Sequence, residues 1–320
     1  MDLPPEESLR WLVSHYAGLH ARHGAAIGTP DLVQPTGDYF PDAFSATPEG
    51  VARLVSRVLE YAPVREGLDV RLRFVETAAD AGGCACGKGG RGCGGGGAKG
   101  GSCGAKGGCA DAGGGCGCGK GGCDDEPRDR VIEGDGAYLL ELPVDAVSSP
   151  VALTTTLARS AGTIVLAEAG EEVTAAERGG MSELAAIASG LGVLLLSGAH
   201  IYKKSCGGPR VSRHTHLALE EAAVGLALFA ALHGMKPSFV RAHLETTQRE
   251  AFGDAMDWVE SNPAIAMQLR ARPEVLEAGM FRCETTKGFF GKMLARRAAL
   301  QEEQAFLVAP SGKTAGGRAG

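Results

Sequence analysis

Forty-one consecutive residues, 83–123, contain 21 glycines and 8 cysteines, and no valine, isoleucine, leucine, methionine or aromatic side chain. Such a stretch cannot build a core. It buries too little apolar surface to offset the entropy of ordering, and glycine makes that entropy larger. The tract repeats internally: Gly-Gly-Cys-x-Cys-Gly-Lys-Gly-Gly runs from Gly82 to Gly90 and again from Gly114 to Gly122. It therefore divides the chain. Residues 1–81 and 129–309 are expected to share one globular domain, 82–128 to be a disordered insert, and 310–320 to be a disordered tail.

Eight of the ten cysteines fall inside the insert: Cys84, Cys86, Cys93, Cys103, Cys109, Cys116, Cys118 and Cys123. They are not spread out as disulfide staples would be. Cys84/Cys86 and Cys116/Cys118 each can set two thiolates on one ion. All-thiolate coordination selects soft cations, here Zn(II) or Cu(I), over magnesium or calcium. Lys88, Arg91, Lys99, Lys106 and Lys120, against Asp111 alone, would favour the thiolate form. In its Cys-x-Cys pairs the tract resembles metallothionein-like segments. The rival reading is an inert low-complexity expansion of a surface loop, which loops tolerate at small entropic cost.

Outside the insert the composition is ordinary. A formal charge of −6 with 5% aromatics supplies neither the excess cations nor the stacking platforms that nucleic acid needs. The opening Met1-Asp2-Leu3-Pro4-Pro5-Glu6-Glu7 lacks the basic and apolar run of an export leader, which predicts a cytoplasmic location and reduced thiols. The longest apolar stretch, Leu184 to Ile201, is interrupted by Gly190, Gly192 and Gly198, and reads as a buried helix rather than a membrane span.

Periodicity places the elements. Leu9, Leu12, Val13, Tyr16 and Leu19 mark a helix from Pro5 to about His23. Thr47 followed by Pro48, and Ser149 followed by Pro150, are each a capping hydroxyl before a proline at the first helical position. Leu68, Val70, Leu72 and Phe74 alternate with polar residues as a strand does, and Gly134-Asp135-Gly136 reads as the turn of a hairpin. Helical patterns follow over Met181 to about His200, from Leu217 to a stop at Gly234, over Pro237 to Glu260 and over Thr285 to Leu307; Lys203 to Pro209 reads as a loop. The expected fold is α+β, mainly helical with a small antiparallel sheet.

Three segments, Pro35-Thr36-Gly37-Asp38-Tyr39-Phe40-Pro41-Asp42, Leu153 to Ala158, and Met181-Ser182-Glu183-Leu184 with Gly190 to Val193, resemble a group of uncharacterised bacterial proteins with a zincin-like metallopeptidase core. That resemblance puts Arg159 and Thr163 where the two zinc-binding histidines of His-Glu-x-x-His belong and Ser160 where the glutamate belongs. Glu183 falls at the third-ligand position. Arginine does not give up its proton to bind a metal, and serine is no carboxylate base. The resemblance therefore implies a scaffold without zinc chemistry, and no catalytic residue is assigned.

Two routes to an enzyme stay open. His216 and Glu220, four apart with His214 close by, would share one face of a helix beginning near Arg213 and could serve a metallohydrolase. Cys206 in Lys204-Ser205-Cys206-Gly207-Gly208-Pro209 could serve a thiol enzyme, with lysine favouring its thiolate. The leading expectation is a non-catalytic protein whose thiol-rich loop binds soft metal ions. Its other rival is a structural or interaction protein with an inert loop.

Overall fold

The computed structural model describes residues 3–27, 31–76, 130–134, 136–205, 208–286 and 288–308, with backbone alone at 203–205, 208–210, 289 and 302–308. All eight clustered cysteines and Cys206 lie outside the described residues.

The fold is mainly helical with small sheets, as expected. Helix α1 (Glu6–Ile27) is followed by α2 (Pro48–Glu60), then strands β1 (Asp69–Val75), β2 (Arg130–Gly134) and β3 (Ala137–Pro143). A short α3 (Val144–Val147) leads to α4 (Pro150–Glu168), α5 (Arg178–Ala186) and α6 (Gly192–Ala199). The hairpin β4 (Ile201–Ser205) and β5 (Gly208–Ser212) precedes α7 (Leu219–Leu232). Five helices complete the chain: α8 (Pro237–Arg241), α9 (Thr246–Ser261), α10 (Pro263–Ala271), α11 (Pro273–Glu277) and α12 (Phe289–Val308).

The local signals in the sequence act as their chemistry requires. The Thr47 hydroxyl accepts from the Gly50 N–H at 3.2 Å, and the Ser149 hydroxyl accepts from the Ala152 N–H at 3.4 Å. Each occupies one amide that the first turn of a helix leaves unpaired. β2 and β3 pair antiparallel as expected, with Gly134 opposite Ala137 at the end of the ladder. β1 then adds to the other edge of β3 in parallel, giving the order β1-β3-β2, so the sheet is mixed rather than wholly antiparallel. A parallel neighbour needs a long crossover, and the connection leaving β1 is the one that carries residues 77–129. Register aligns Val70 with Tyr138, Leu72 with Leu140 and Phe74 with Leu142, making one apolar face that packs toward α4.

Further expectations change, among them the single helix over Pro237 to Glu260, which is divided into α8 and α9. The apolar run after Met181 is not one helix: α5 and α6 are separated by a π-turn, Ile187–Leu191, with Gly190 at φ +87°. Such a backbone angle is open to glycine and strained for other residues. Within Lys203 to Pro209, expected as a loop, Lys203 to Ser205 and Gly208 to Pro209 belong to the paired strands β4 and β5. α10 and α11 start at Pro263 and Pro273, where the apolar periodicity marks no element and proline at the first helical position is the local signal.

The stretch Arg178–Ala199 is long and apolar enough to cross a membrane by composition, and 89% of its most apolar window is buried inside the fold. It packs against α4, α1 and α7, and α7 is itself buried over most of its circumference from Leu219 to Ala230. The contact between α4 and α5 is close: a Cβ on Gly162 would stand 1.9 Å from the Ser182 carbonyl oxygen. Gly162→Ala is therefore expected to destabilise the protein by about 1–3 kcal/mol by forcing the two helices apart. Urea unfolding checks this; an unchanged midpoint would mean that the crossing is looser than described.

Candidate functional site

The interior charges of this domain meet at the α4–α5 crossing. Arg159, in the middle of α4, is 4% exposed, and Glu183, on α5, is 1% exposed. Arg159 Nη1 lies 3.8 Å from Glu183 Oε1 and donates a hydrogen bond to the His214 carbonyl. Glu183 in turn accepts from two backbone amides, His216 N–H at 2.6 Å and Leu217 N–H at 2.8 Å. One carboxylate thus holds the segment 214–217 against α5, and the guanidinium holds the same segment from α4. Thr163, one turn after Arg159, donates its hydroxyl to the Arg159 carbonyl at 3.2 Å and has the Ser182 hydroxyl 3.0 Å away.

Burial dominates both titrations. It pushes the Glu183 carboxyl up to about 7, against the pull of Arg159 and of the two amides, and brings the Arg159 guanidinium down to about 10. The guanidinium is still charged at neutral pH. Glu183 sits close enough to neutrality to exchange its proton there.

Outside this pair lies a cleft of about 860 Å³ between β2, the α4–α5 connection and the segment bearing His216. Arg159, Thr163 and Ser182 line it, together with Tyr138, Arg178 and His216. Glu171, also at its wall, is committed elsewhere: His23 Nε2 lies 2.7 Å from its Oε2, and Arg22 pairs with it as well. Burial opposes its ionisation, but these two partners outweigh it and hold the carboxyl below the usual range. The Tyr138 hydroxyl donates to Glu168 at 2.9 Å.

The structure therefore brings together three of the positions singled out from the sequence, Arg159, Thr163 and Glu183. Ser160 is buried on the same helix. It separates the histidine candidates from the place assigned to them. α7 begins at Leu219, not near Arg213, so His214 and His216 precede the helix and do not share a helical face with Glu220. The sequence reads a helix there because its apolar spacing runs back to Leu217; the Glu183 carboxylate instead takes up the amides of His216 and Leu217, where the backbone bends before the helix starts.

Among the described residues no three His, Cys, Asp or Glu side chains converge to hold a metal ion. Cys283 is half-buried on a loop, where burial raises its thiol pKa. Of the other histidines, His15 Nδ1 lies 2.9 Å from the Trp11 carbonyl oxygen, and His233 packs on the Phe229 ring with centroids 4.6 Å apart. The cleft itself was not legible from spacing: Tyr138, Arg178 and His216 reach it from three elements far apart in sequence. No family model, curated protein or solved structure matches this chain.

The geometry fixes a pH dependence. Glu183 titrates higher in the folded chain than its ordinary value of 4.5. Its contribution to stability is therefore complete below that value and is lost as pH rises through about 7. In Arg159→Met the cation opposing this rise is gone. The substitution is expected to cost about 3–5 kcal/mol near pH 8, where it strands a buried carboxylate, and clearly less near pH 5, where the carboxyl is protonated. Denaturant unfolding across that range measures it, and an equal loss at every pH would show that Glu183 does not carry the effect.

Proposed function

We propose that the folded domain is a non-catalytic, zincin-like scaffold and that the cysteine-rich tract is the working part, sequestering or sensing soft metal ions. The observation that carries this reading is the buried Arg159–Glu183 pair. In the resemblance noted above, the Arg159 position would supply one ligand to a metal and the Glu183 position another. Here the side chain at the first position is itself the cation. A guanidinium 3.8 Å from that carboxylate balances its charge and repels a second positive ion.

Two further features support it. The candidate histidines His214 and His216 stand on a non-helical segment, in which the His216 and Leu217 amides are bound to Glu183, rather than one turn apart on a helix. Ser160 offers no carboxylate to activate water. Metal chemistry then falls to Cys84, Cys86, Cys93, Cys103, Cys109, Cys116, Cys118 and Cys123, whose thiolates suit Zn(II) or Cu(I). The proposed working location is the reducing cytoplasm, where such thiols remain free to bind.

Purified under reducing conditions, the full chain is expected to take up Zn(II) and Cu(I) in proportion to these thiols. A variant with all eight replaced by serine is expected to lose that uptake, and His216→Ala to keep it. Elemental analysis and competitive titration with a chromogenic chelator read the difference. Retention of metal by the serine variant, or its loss in His216→Ala, would transfer the metal site to the folded domain and overturn the proposal.

A further inference from the structure

The last helix, α12, wears its apolar side chains on the outside. A helix packed on a folded domain ordinarily seats its large apolar residues inward and leaves its polar ones in water. In α12 the side toward α9 and α10 carries Gly291, Ala295 and Ala299, and Lys292 is anchored on α9 by Asp257 at 2.6 Å and Glu260 at 3.0 Å. Phe290, Met293 and Leu294 point the other way and are 73%, 55% and 62% exposed. Single apolar residues on a surface need no explanation. Three large ones within five positions of one helix form a patch whose exposure to water is unfavourable.

The charge around this patch has one sign. Between Glu284 and Glu302 the sequence holds Lys287, Lys292, Arg296 and Arg297 and no acid, in a chain whose formal charge is −6. Lys292 is committed to α9. Arg296 and Arg297 are exposed and make no hydrogen bond or ion pair among the described residues. Arg297 follows Met293 by four positions and Leu294 by three, so it borders the patch, and Arg296 flanks it one turn after Met293.

These features select among occupants. A second copy meeting this face across a twofold axis presents the same patch to itself, and so sets its own Arg296 and Arg297 against these two. Like charges at an apolar contact oppose that pairing. A lipid surface with anionic headgroups supplies both missing partners at once. Its acyl boundary accepts the three apolar side chains, and its headgroups accept the two guanidinium groups, whose aliphatic stems let them lean away from the patch.

We infer that the amino-terminal half of α12 is a peripheral attachment site for anionic membranes, with Phe290, Met293 and Leu294 entering the boundary between headgroups and acyl chains and Arg296 and Arg297 lying on the headgroups. Nothing in it spans the bilayer, and the buried stretch Arg178–Ala199 takes no part. The attachment is independent of the metal-binding reading, since it draws on no cysteine.

The test is co-sedimentation of the full chain with vesicles of phosphatidylcholine containing about one-third phosphatidylserine, beside vesicles of phosphatidylcholine alone. Binding to the mixed vesicles is expected, at least about tenfold weaker on phosphatidylcholine alone and weakened by added salt. Each arginine near such a surface contributes about fivefold, so Arg296→Gln combined with Arg297→Gln is expected to weaken binding about 25-fold. Phe290→Ser combined with Leu294→Ser is expected to weaken it about tenfold or more, while Arg53→Gln on α2 leaves it unchanged. All four α12 positions are exposed, and circular dichroism with urea unfolding verifies that both double variants keep the fold. The basic residues of the cysteine-rich tract are present in every variant. Binding that survives both double substitutions would therefore place the attachment elsewhere and overturn the inference, as would equal binding to the two kinds of vesicle or binding to neither. Sedimentation velocity without lipid reads the remaining alternative. A dimer that Phe290→Ser with Leu294→Ser dissociates, in a chain that ignores vesicles, would make a second copy the occupant and equally overturn it.

Discussion

The Glu183 carboxylate, enclosed between α4 and α5, is the point on which the centre of the domain depends. A buried carboxylate is tolerable only when its lone pairs are satisfied and its charge is balanced. Here the amides of His216 and Leu217 satisfy the first need and Arg159 the second. The arrangement has a structural consequence beyond the pair itself. Because both partners also grip the segment 214–217, the path from the β4–β5 hairpin into α7 is set by electrostatics rather than by apolar packing. It brings Thr215 and Leu217 into the interior while His216 stays at the wall of the cleft.

The pair also shapes the surface around it. The cleft beside Arg159 is polar because the groups behind it are polar, and its neighbouring acid, Glu171, is neutralised from α1 by Arg22 and His23. The recess beside the Pro35–Asp42 segment is apolar because aromatic and aliphatic side chains from α2 and its flanking loop close it. Among the described residues, the domain therefore lines two cavities of opposite character on one scaffold.

Much of the local architecture could be read directly. Hydroxyl-proline steps at Thr47-Pro48 and Ser149-Pro150 begin helices because both the missing amide bond and the backbone angle are supplied within two residues. The hairpin of β2 and β3 forms where the glycine-rich turn signal stands, with Gly136 at positive φ. Where a decision needed a distant partner, the reading failed. Nothing near β1 says that it will lie parallel to β3, and nothing in the apolar run after Met181 says that Gly190 will break it. The β4–β5 hairpin was taken for a loop because glycine and proline near its turn outweigh the short alternation on either side.

The sequence by itself determined which residues could make a core and which could not, since burial of apolar surface is a property of composition and period. It also determined that Arg159, Ser160 and Thr163 cannot perform the chemistry of a histidine–glutamate–histidine set, because protonation and ligand character belong to the side chain itself. Only the tertiary structure decided that Arg159 and Glu183 face one another, that His216 stands at a cleft wall rather than on a helix, and that Phe290, Met293 and Leu294 face away from the domain. Those are juxtapositions across separate elements. They are fixed by how helices cross and how buried charges find partners, and no short stretch of chain encodes them.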